Sequence, residues 1–562
     1  MNLLTTPWLP VRLHNGTQEI IPVTAISRSD IADLALPRTD FQGAAYQLIV
    51  GALQCACPPD DEDDWRASYR QPPAPHEVSD AFSTIAHAFN VTGDGPLFMQ
   101  DFDLLDGVKS TSIAALLIEA PGDNGIKNNT DFFIKRGFVE QLSLPMAALA
   151  LFTLQINAPS GGQGHRTGLR GGGPLASLVL PGEPVSTLWQ KLWLNVMNAE
   201  YLIDNLPGYR QQPDFTDGSV FPWLVPTHTS DKKGSAIFPN EVHPLHRYWA
   251  MPRRIRLEVL EEAGSCDLTG APTEPLVRGY RTRNYGANYD GDWQSHPFTP
   301  YKGNPKKPQD DRLSIKGQPG GITYKIWDVL RLSADNKDDS FNPALVVQHH
   351  QSLMAYFDGE TVADDQDDWQ KTLKLWAFAY DMDNMKPRGF YSTEMPLVAL
   401  PTTQQQAFFN EIRRVQSLAV ELLKYTRSAL KEAISKGPKD AKGDTSMLDL
   451  AFWQRSESHF FTLTYDLAKH ARTRPEALRL PAMTANDWLH RVQRLTIELF
   501  DETALSAQPG PRELKQCIEA RNSLKRLVYG SKSIKRFIAD YPKPESHRSE
   551  PNTPEPNTEM PI

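Results

Sequence analysis

The chain has 562 residues, of which 40% are hydrophobic and 23% charged, and a formal net charge of −9. That length is too great for one core and predicts roughly two to four domains of ordinary soluble composition, while the acidic balance excludes a protein that coats nucleic acid with its whole surface, so any DNA or RNA contact is local. Four irregularly spaced cysteines, no basic-then-apolar leader and no apolar run approaching membrane length argue against a disulfide framework or a membrane span and predict a cytoplasmic chain.

In chain order, Trp8 to Val23 alternates apolar and polar residues around Asn15-Gly16, a hairpin signal. Phe41 to Leu53 predicts a largely apolar helix, and the acidic run from Asp60 to Asp64 predicts a solvated loop. Pro145 to Gln155 predicts a helix with proline in its first turn. The segment Ala158 to Pro174 (A-P-S-G-G-Q-G-H-R-T-G-L-R-G-G-G-P) then departs furthest from globular composition: seven of its residues are glycine, and it carries His165, Arg166 and Arg170 without an acid. Glycine admits positive φ and close approach of another backbone or a ligand, so the segment predicts a shaped backbone cradle for an anion. A long surface loop with no ligand is the competing reading. Its spacing fits neither the dinucleotide fingerprint nor a P-loop, and a helix precedes it where both motifs need a strand.

Leu175 to Leu180 predicts a strand and Leu188 to Met197 a Trp- and Leu-rich helix. No βαβ rhythm repeats, which disfavours a doubly wound enzyme fold. From Arg278 to Lys316, eight basic residues face four acids, with Tyr280, Tyr285, Tyr289, Trp293 and Tyr301 interleaved. Two readings fit: cations for phosphates with rings for bases, or an exposed hairpin with a packed aromatic face. A second acidic run, Asp364 to Asp368, precedes a predicted helical stretch through Tyr380, and Asp381 to Pro387 predicts an exposed turn rather than a metal-binding D-x-D. Beyond Pro401, four amphipathic helices predict a bundle, the first with Ile412, Val415, Ala419 and Leu422, the second over Met447 to Ala471, the third over Ala485 to Phe500, the fourth from Pro511. Pro542 to Ile562, rich in Pro, Glu and Asn, predicts a disordered tail.

No nucleophile elbow, zincin helix, deaminase cysteine pair or helicase P-loop is present, and the adjacent His349 and His350 diverge on a helix or strand and so make a poor metal pair. The sequence therefore predicts a binding subunit, not an enzyme, with no metal and no cofactor.

Several stretches in order along the chain carry a family likeness: M-N-L-L-T-T-P-W-L-P-V-R at the start, Leu36 to Leu48, Pro96 to Gln100, Asn128 to Arg136, the glycine segment with G-L-R-G-G-G-P, and Asp383 to Tyr391. In these the chain resembles the CasA family, the large subunit of the type I-E CRISPR surveillance complex called Cascade, from Met1 to about Tyr541. The resemblance implies an α+β fold, with a large mixed α/β N-terminal domain (residues 1–401), a C-terminal four-helix bundle (402–541) and a tail (542–562). It also implies partners: CRISPR RNA, double-stranded target DNA, the other Cascade subunits and a recruited helicase-nuclease. The implied task is to recognise the motif flanking a target, the PAM, and to open the duplex for R-loop formation.

Site residues follow from the same likeness. Ser160, Gly161, Gly162, Gln163, Gly164 and Arg166 stand at the family's motif-reading loop, with Ser160 and Gln163 where a relative has glycine. Arg281, Arg283 and Asn284 stand at a hairpin that enters the minor groove, Asn284 occupying the place of a lysine. Asn384, Met385, Lys386 and Pro387 stand at a strand-separating wedge, where some relatives have glutamine in place of Lys386. Phe133, Lys135 and Arg136 stand in a loop that meets the RNA and the flanking DNA. Relatives carry clustered cysteines near Cys266, where this chain has one, so no zinc ribbon is expected. Two other readings fit the sequence: a nucleotide- or phosphoester-processing enzyme with the glycine segment as its anion site, and a purely architectural subunit.

Overall fold

A computed structural model describes residues 1–120, 127, 136–159, 162, 164–183, 185–210, 212–231, 236–304, 306–307, 310–335, 340–361, 373–398, 400, 404–434, 445–473, 478–505 and 511–542. The chain divides into two compact units, Met1–Leu400 and Pro401–Ile562.

In the first unit, β1 (Leu9–Leu13) pairs antiparallel with β2 (Gln18–Ile21) across the Asn15-Gly16 turn and with β3 (Ile31–Leu34) on its other side. Helix α1 (Thr39–Ala56) is buried along almost its whole length, against α2 (Leu144–Asn157) among others. An aromatic cluster of Phe89, Phe98, Phe152, Phe221, Trp223 and Trp249 fills the neighbouring core with edge-on and tilted contacts. The Trp223 indole donates to the Ala88 carbonyl at 2.7 Å, so its one polar group is satisfied inside that core.

Further elements of the first unit carry the segments of functional interest. Strand β4 (Ala176–Leu180) follows the glycine segment, and α3 (Leu188–Trp193) follows it under a Thr187–Gln190 capping box. That helix ends sooner than the sequence predicts; a turn takes over at Leu194. β5 (Arg254–Leu260) and β6 (Leu276–Arg283) form a long antiparallel pair, their connection carrying Cys266 buried in a turn. Helix α4 (Leu345–Thr361) holds His349 and His350, both buried. β7 (Lys374–Asp383) and β8 (Lys386–Pro396) form a hairpin, and β7 also pairs with β4, giving the order β8-β7-β4.

That hairpin corrects one expectation, because the stretch through Tyr380 is a strand and not a helix. Leu375 to Asp381 is buried on both faces, since β7 is the central strand of its sheet. A continuous apolar run of that kind has no period of two, and by pattern alone it cannot be told from a buried helix.

The second unit is helical: α5 (Gln405–Ile434), α6 (Ser446–Thr473), α7 (Ala482–Ala504) and α8 (Pro511–Gly530), with a short α9 (Lys532–Asp540) that the sequence pattern does not separate from the fourth helix. Phe408, Ile412, Val415, Ala419 and Leu422 on α5 are buried, as are Trp488, Val492 and Phe500 on α7 and Leu524 and Val528 on α8. Buried Glu411 accepts from the Tyr541 hydroxyl at 2.6 Å and the Leu480 amide at 3.2 Å, which ties the end of the last helix to the first. No helix among the described residues is long and apolar enough to cross a membrane.

Trp223→Ala should cost about 3–5 kcal/mol through the cavity left in the aromatic cluster, seen as a lowered thermal midpoint of the first unit; an unchanged midpoint would show that the cluster does not support it. A second expectation concerns acid. Burial lowers the pKa of His246 to about 4 and of His349 and His350 to about 3, and holds His296 well below its ordinary range. The unfolded chain takes up these protons below about pH 6.5 while the folded chain does not, so their contribution is whole above that pH and is lost as pH falls. At pH 5 each should have cost up to about 2 kcal/mol, and denaturant titrations at pH 7.5 and pH 5 measure the sum.

Candidate nucleic-acid interface

The glycine segment begins where α2 runs out at Asn157, and two buried guanidinium groups bond to the backbone at that junction. Arg253 donates to the Pro159 carbonyl. Arg170 donates to the Ile156 carbonyl at 2.9 Å, Thr299 Oγ1 at 3.0 Å and Gln47 Oε1 at 3.2 Å. Burial lowers both pKa values to about 10, which leaves both side chains charged at neutral pH. Neither makes an ion pair with a carboxylate among the described residues, so two positive charges lie in low dielectric beneath the segment, where their field is weakly screened. Arg170 thus acts from below and does not line an open cradle. Next to them, His165 has its pKa lowered by burial and by Arg253.

The first half of the segment docks against the end of β6. Gly164, at φ +78, accepts from the Tyr285 amide at 2.7 Å, and a Cβ built on it would lie 2.7 Å from Asn284 Cβ. Only a residue without a side chain brings the two backbones that close in that conformation. Arg166 turns inward, its Nε donating to Ser230 Oγ at 2.9 Å and its Nη2 to the Ser230 carbonyl at 3.2 Å. Gly162 is exposed, with open space where a Cβ would stand. Ser160, Gly161 and Gln163 lie outside the described residues.

The second half docks against the hairpin of β7 and β8. A Cβ on Gly173, at φ +61, would lie 2.5 Å from Met382 Cγ, and the residues around Lys316 bridge Pro174 on one side and Asp381 on the other. Two residues beyond Met382 the hairpin turns. Asn384, at φ +54, and Met385 form a two-residue turn closed by the Asp383–Lys386 pair, with Met385 52% exposed and Lys386 exposed. Asn tolerates the left-handed region, which fits it to such a turn. A register shift between Asp381 and Met382 bends the strand just before its tip. The strands just below the tip are clamped: Arg388 Nη2 lies 2.7 Å from Asp381, and the Tyr380 hydroxyl donates to Asp40 in the first turn of α1. Asp381 is thereby an ion-pair partner, and no group of three or more potential metal ligands occurs among the described residues.

On β6 the predicted cations separate. Arg281 is held by Glu258 at 3.0 Å and Asp106 at 2.8 Å, whereas Arg283 and Asn284 are exposed at the strand's end beside the glycine segment. The aromatic residues of this stretch divide as well. Tyr280, Trp293 and Tyr301 are buried, and Tyr289 packs edge-on to Trp293, so much of the aromatic signal is core. Phe133 and Lys135 lie outside the described residues, and Arg136 is exposed in a turn.

The structure therefore brings the described parts of three predicted segments onto one frame, with the glycine segment touching the end of β6 on one side and the hairpin of β7 and β8 on the other. Residues to which the sequence gave no site role hold that frame: Arg253, Ser230 and Met382, with Tyr285, named only as one aromatic among five, and Lys316. Lys316 was visible only as one charge among eight, and nothing in the sequence marks Ser230.

A family model described as CRISPR-associated protein Cse1 matches residues 2–499. Among solved structures, CasA of Thermus thermophilus superposes with a TM-score of 0.66 at 15% identity, covering 94% of this chain and 99% of that one. Cse1 of Thermobifida fusca gives 0.61 at 16% identity, covering 95% and 98%. A chain from a structure named as a CRISPR RNA-guided surveillance complex gives 0.60 at 14% identity, covering 93% and 99%.

Gly164→Ala should destabilise the first unit by about 1–3 kcal/mol, because it adds left-handed strain and a clash with Asn284. Gly162→Ala, with open space, should cost only about 1–2 kcal/mol. Thermal unfolding of the two variants side by side checks the order, and equal midpoints would mean that the contact with Asn284 is not tight.

Proposed function

Because the chain belongs to the CRISPR-associated Cse1 (CasA) family, we propose that it is the large subunit of a type I-E CRISPR RNA-guided surveillance complex and recognises the flanking motif in double-stranded target DNA. The observation that carries this reading is the shared frame of glycine segment, strand end and hairpin tip. A surface that reads a short motif and opens the next base pair needs its reading and opening groups at a fixed separation, and one rigid frame supplies that.

In this reading the glycine segment, with Gly162 exposed, follows the minor groove. There the acceptor pattern is degenerate, and shape and the guanine amino group decide acceptance. Arg283 supplies the cation that a narrow minor groove attracts, with Asn284 beside it. Buried Arg170 and Arg253 add attraction without specific contacts. Met385 at the hairpin tip replaces lost stacking as an apolar wedge, and Lys386 holds a displaced phosphate. Unstacking costs a few kcal/mol per step, so the wedge matters most before the seed heteroduplex forms. The chain contributes binding and strand opening rather than bond chemistry, beside CRISPR RNA and the other subunits, and presents the opened DNA to a helicase-nuclease. Domain boundaries at residues 401 and 541 and cytoplasmic residence belong to the same proposal.

Binding of the reconstituted RNA-bearing complex to duplexes differing only in the flanking trinucleotide tests this, and equal affinities for all trinucleotides would sink it. Arg283→Gln should weaken binding and reduce the salt slope by about 1. Arg281→Gln should leave the slope unchanged, because Glu258 and Asp106 already neutralise that charge. Alanine at Met385 and Lys386 should slow R-loop formation on intact duplex and spare a target already mismatched beside the motif. Equal slowing on both substrates would mean that the tip adds general affinity only.

A further inference from the structure

Ser230 is 1% exposed, lies outside any helix or strand, and uses every polar atom it has. Its amide donates to the Tyr285 carbonyl at 3.0 Å, and its hydroxyl donates to the Gly286 carbonyl at 2.6 Å. The same hydroxyl accepts from Arg166 Nε, and its carbonyl accepts from Arg166 Nη2. With the Tyr285 amide donating to the Gly164 carbonyl, these bonds close a ring through three chain segments: Gly164 to Arg166, Ser230, and Tyr285 to Gly286. At the centre of the ring Tyr285 sits at φ +63, a region that a residue with a bulky side chain seldom occupies. Such a conformation persists where its surroundings over-determine it. Arg283 and Asn284 immediately precede it, so the direction in which they leave the sheet is set by how this one residue is held.

We infer that Ser230 and Arg166 form a latch that fixes the register between the glycine segment and the Arg283–Asn284 strand end, and so determine motif specificity without touching DNA. The inference rests on the interface proposed above and reassigns Arg166 from a DNA-contacting member of the motif-reading loop to a positioning residue. Loss of the Ser230 hydroxyl leaves the Gly286 carbonyl and an arginine N–H without partners, and a hydrogen bond to a charged group is of the size that changes an equilibrium about tenfold.

The test uses the RNA-bearing complex carrying wild-type chain, Ser230→Ala, Ser230→Thr or Arg166→Gln. It reads three quantities: the affinity ratio between an accepted and a rejected flanking trinucleotide, the salt slope, and hydrogen exchange of a peptide covering Tyr285. Ser230→Ala and Arg166→Gln should each lower the ratio about tenfold with the salt slope unchanged, and exchange at Tyr285 should speed up about tenfold. Ser230→Thr, which keeps the hydroxyl, should restore both. An unchanged ratio despite faster exchange overturns the specificity role, and unchanged exchange overturns the latch itself. A salt slope lower by about 1 in Arg166→Gln shows that Arg166 is a phosphate contact after all. A wild-type complex that does not discriminate between trinucleotides removes the interface reading, and the inference with it, before any substitution is compared.

Discussion

Close approach of backbones at Gly164 and Gly173 is the constraint on which the arrangement depends. At each position a Cβ would stand less than 3 Å from a neighbouring side chain, Asn284 in one case and Met382 in the other, and each backbone is left-handed. Side chains at those two places would push the end of β6 and the hairpin of β7 and β8 away from the segment between them. The glycines matter here less as flexible links than as the points where three elements are allowed to touch.

Electrostatics on this chain work by placement and not by total. A net charge of −9 gives no general attraction to nucleic acid. Beneath the glycine segment, however, Arg170 and Arg253 are buried and bonded to carbonyls, hydroxyl or amide oxygens, which orient them without cancelling their charge. Arg281, by contrast, is cancelled by Glu258 and Asp106. Two arginines two residues apart on one strand therefore differ in what they offer a phosphate, a distinction invisible in a count of basic residues.

The hairpin of β7 and β8 shows how an exposed tip is kept stiff. The strands just below the tip are tied by Arg388 to Asp381 and by Tyr380 to Asp40, and the central strand is covered on both edges by β4 and β8. The tip itself makes no demand on the core. Met385 can stand in solvent because the order of the strand beneath it is supplied by partners distant in sequence, Asp40 lying 340 residues away.

Local pattern was enough to determine the Asn15-Gly16 hairpin, helix α1, the helix before the glycine segment and the long amphipathic helices of the second unit, because turn chemistry and a repeat of three to four residues are written in neighbouring positions. Pattern also marked the glycine segment as unusual, and the family likeness tied it to the basic strand and the later turn. Tertiary structure alone decided that residues 374–383 are a strand, since an apolar run takes its form from what covers it. It alone decided that Arg166 and Arg170 turn inward, that Arg281 is paired and Arg283 exposed, and that Ser230 joins the glycine segment to Tyr285. Most of these rest on contacts between residues far apart in the chain, such as Arg166 with Ser230 and Arg170 with Gln47 and Thr299, and such contacts leave no periodic trace in the sequence because the fold, not the neighbouring residues, sets the distance between them.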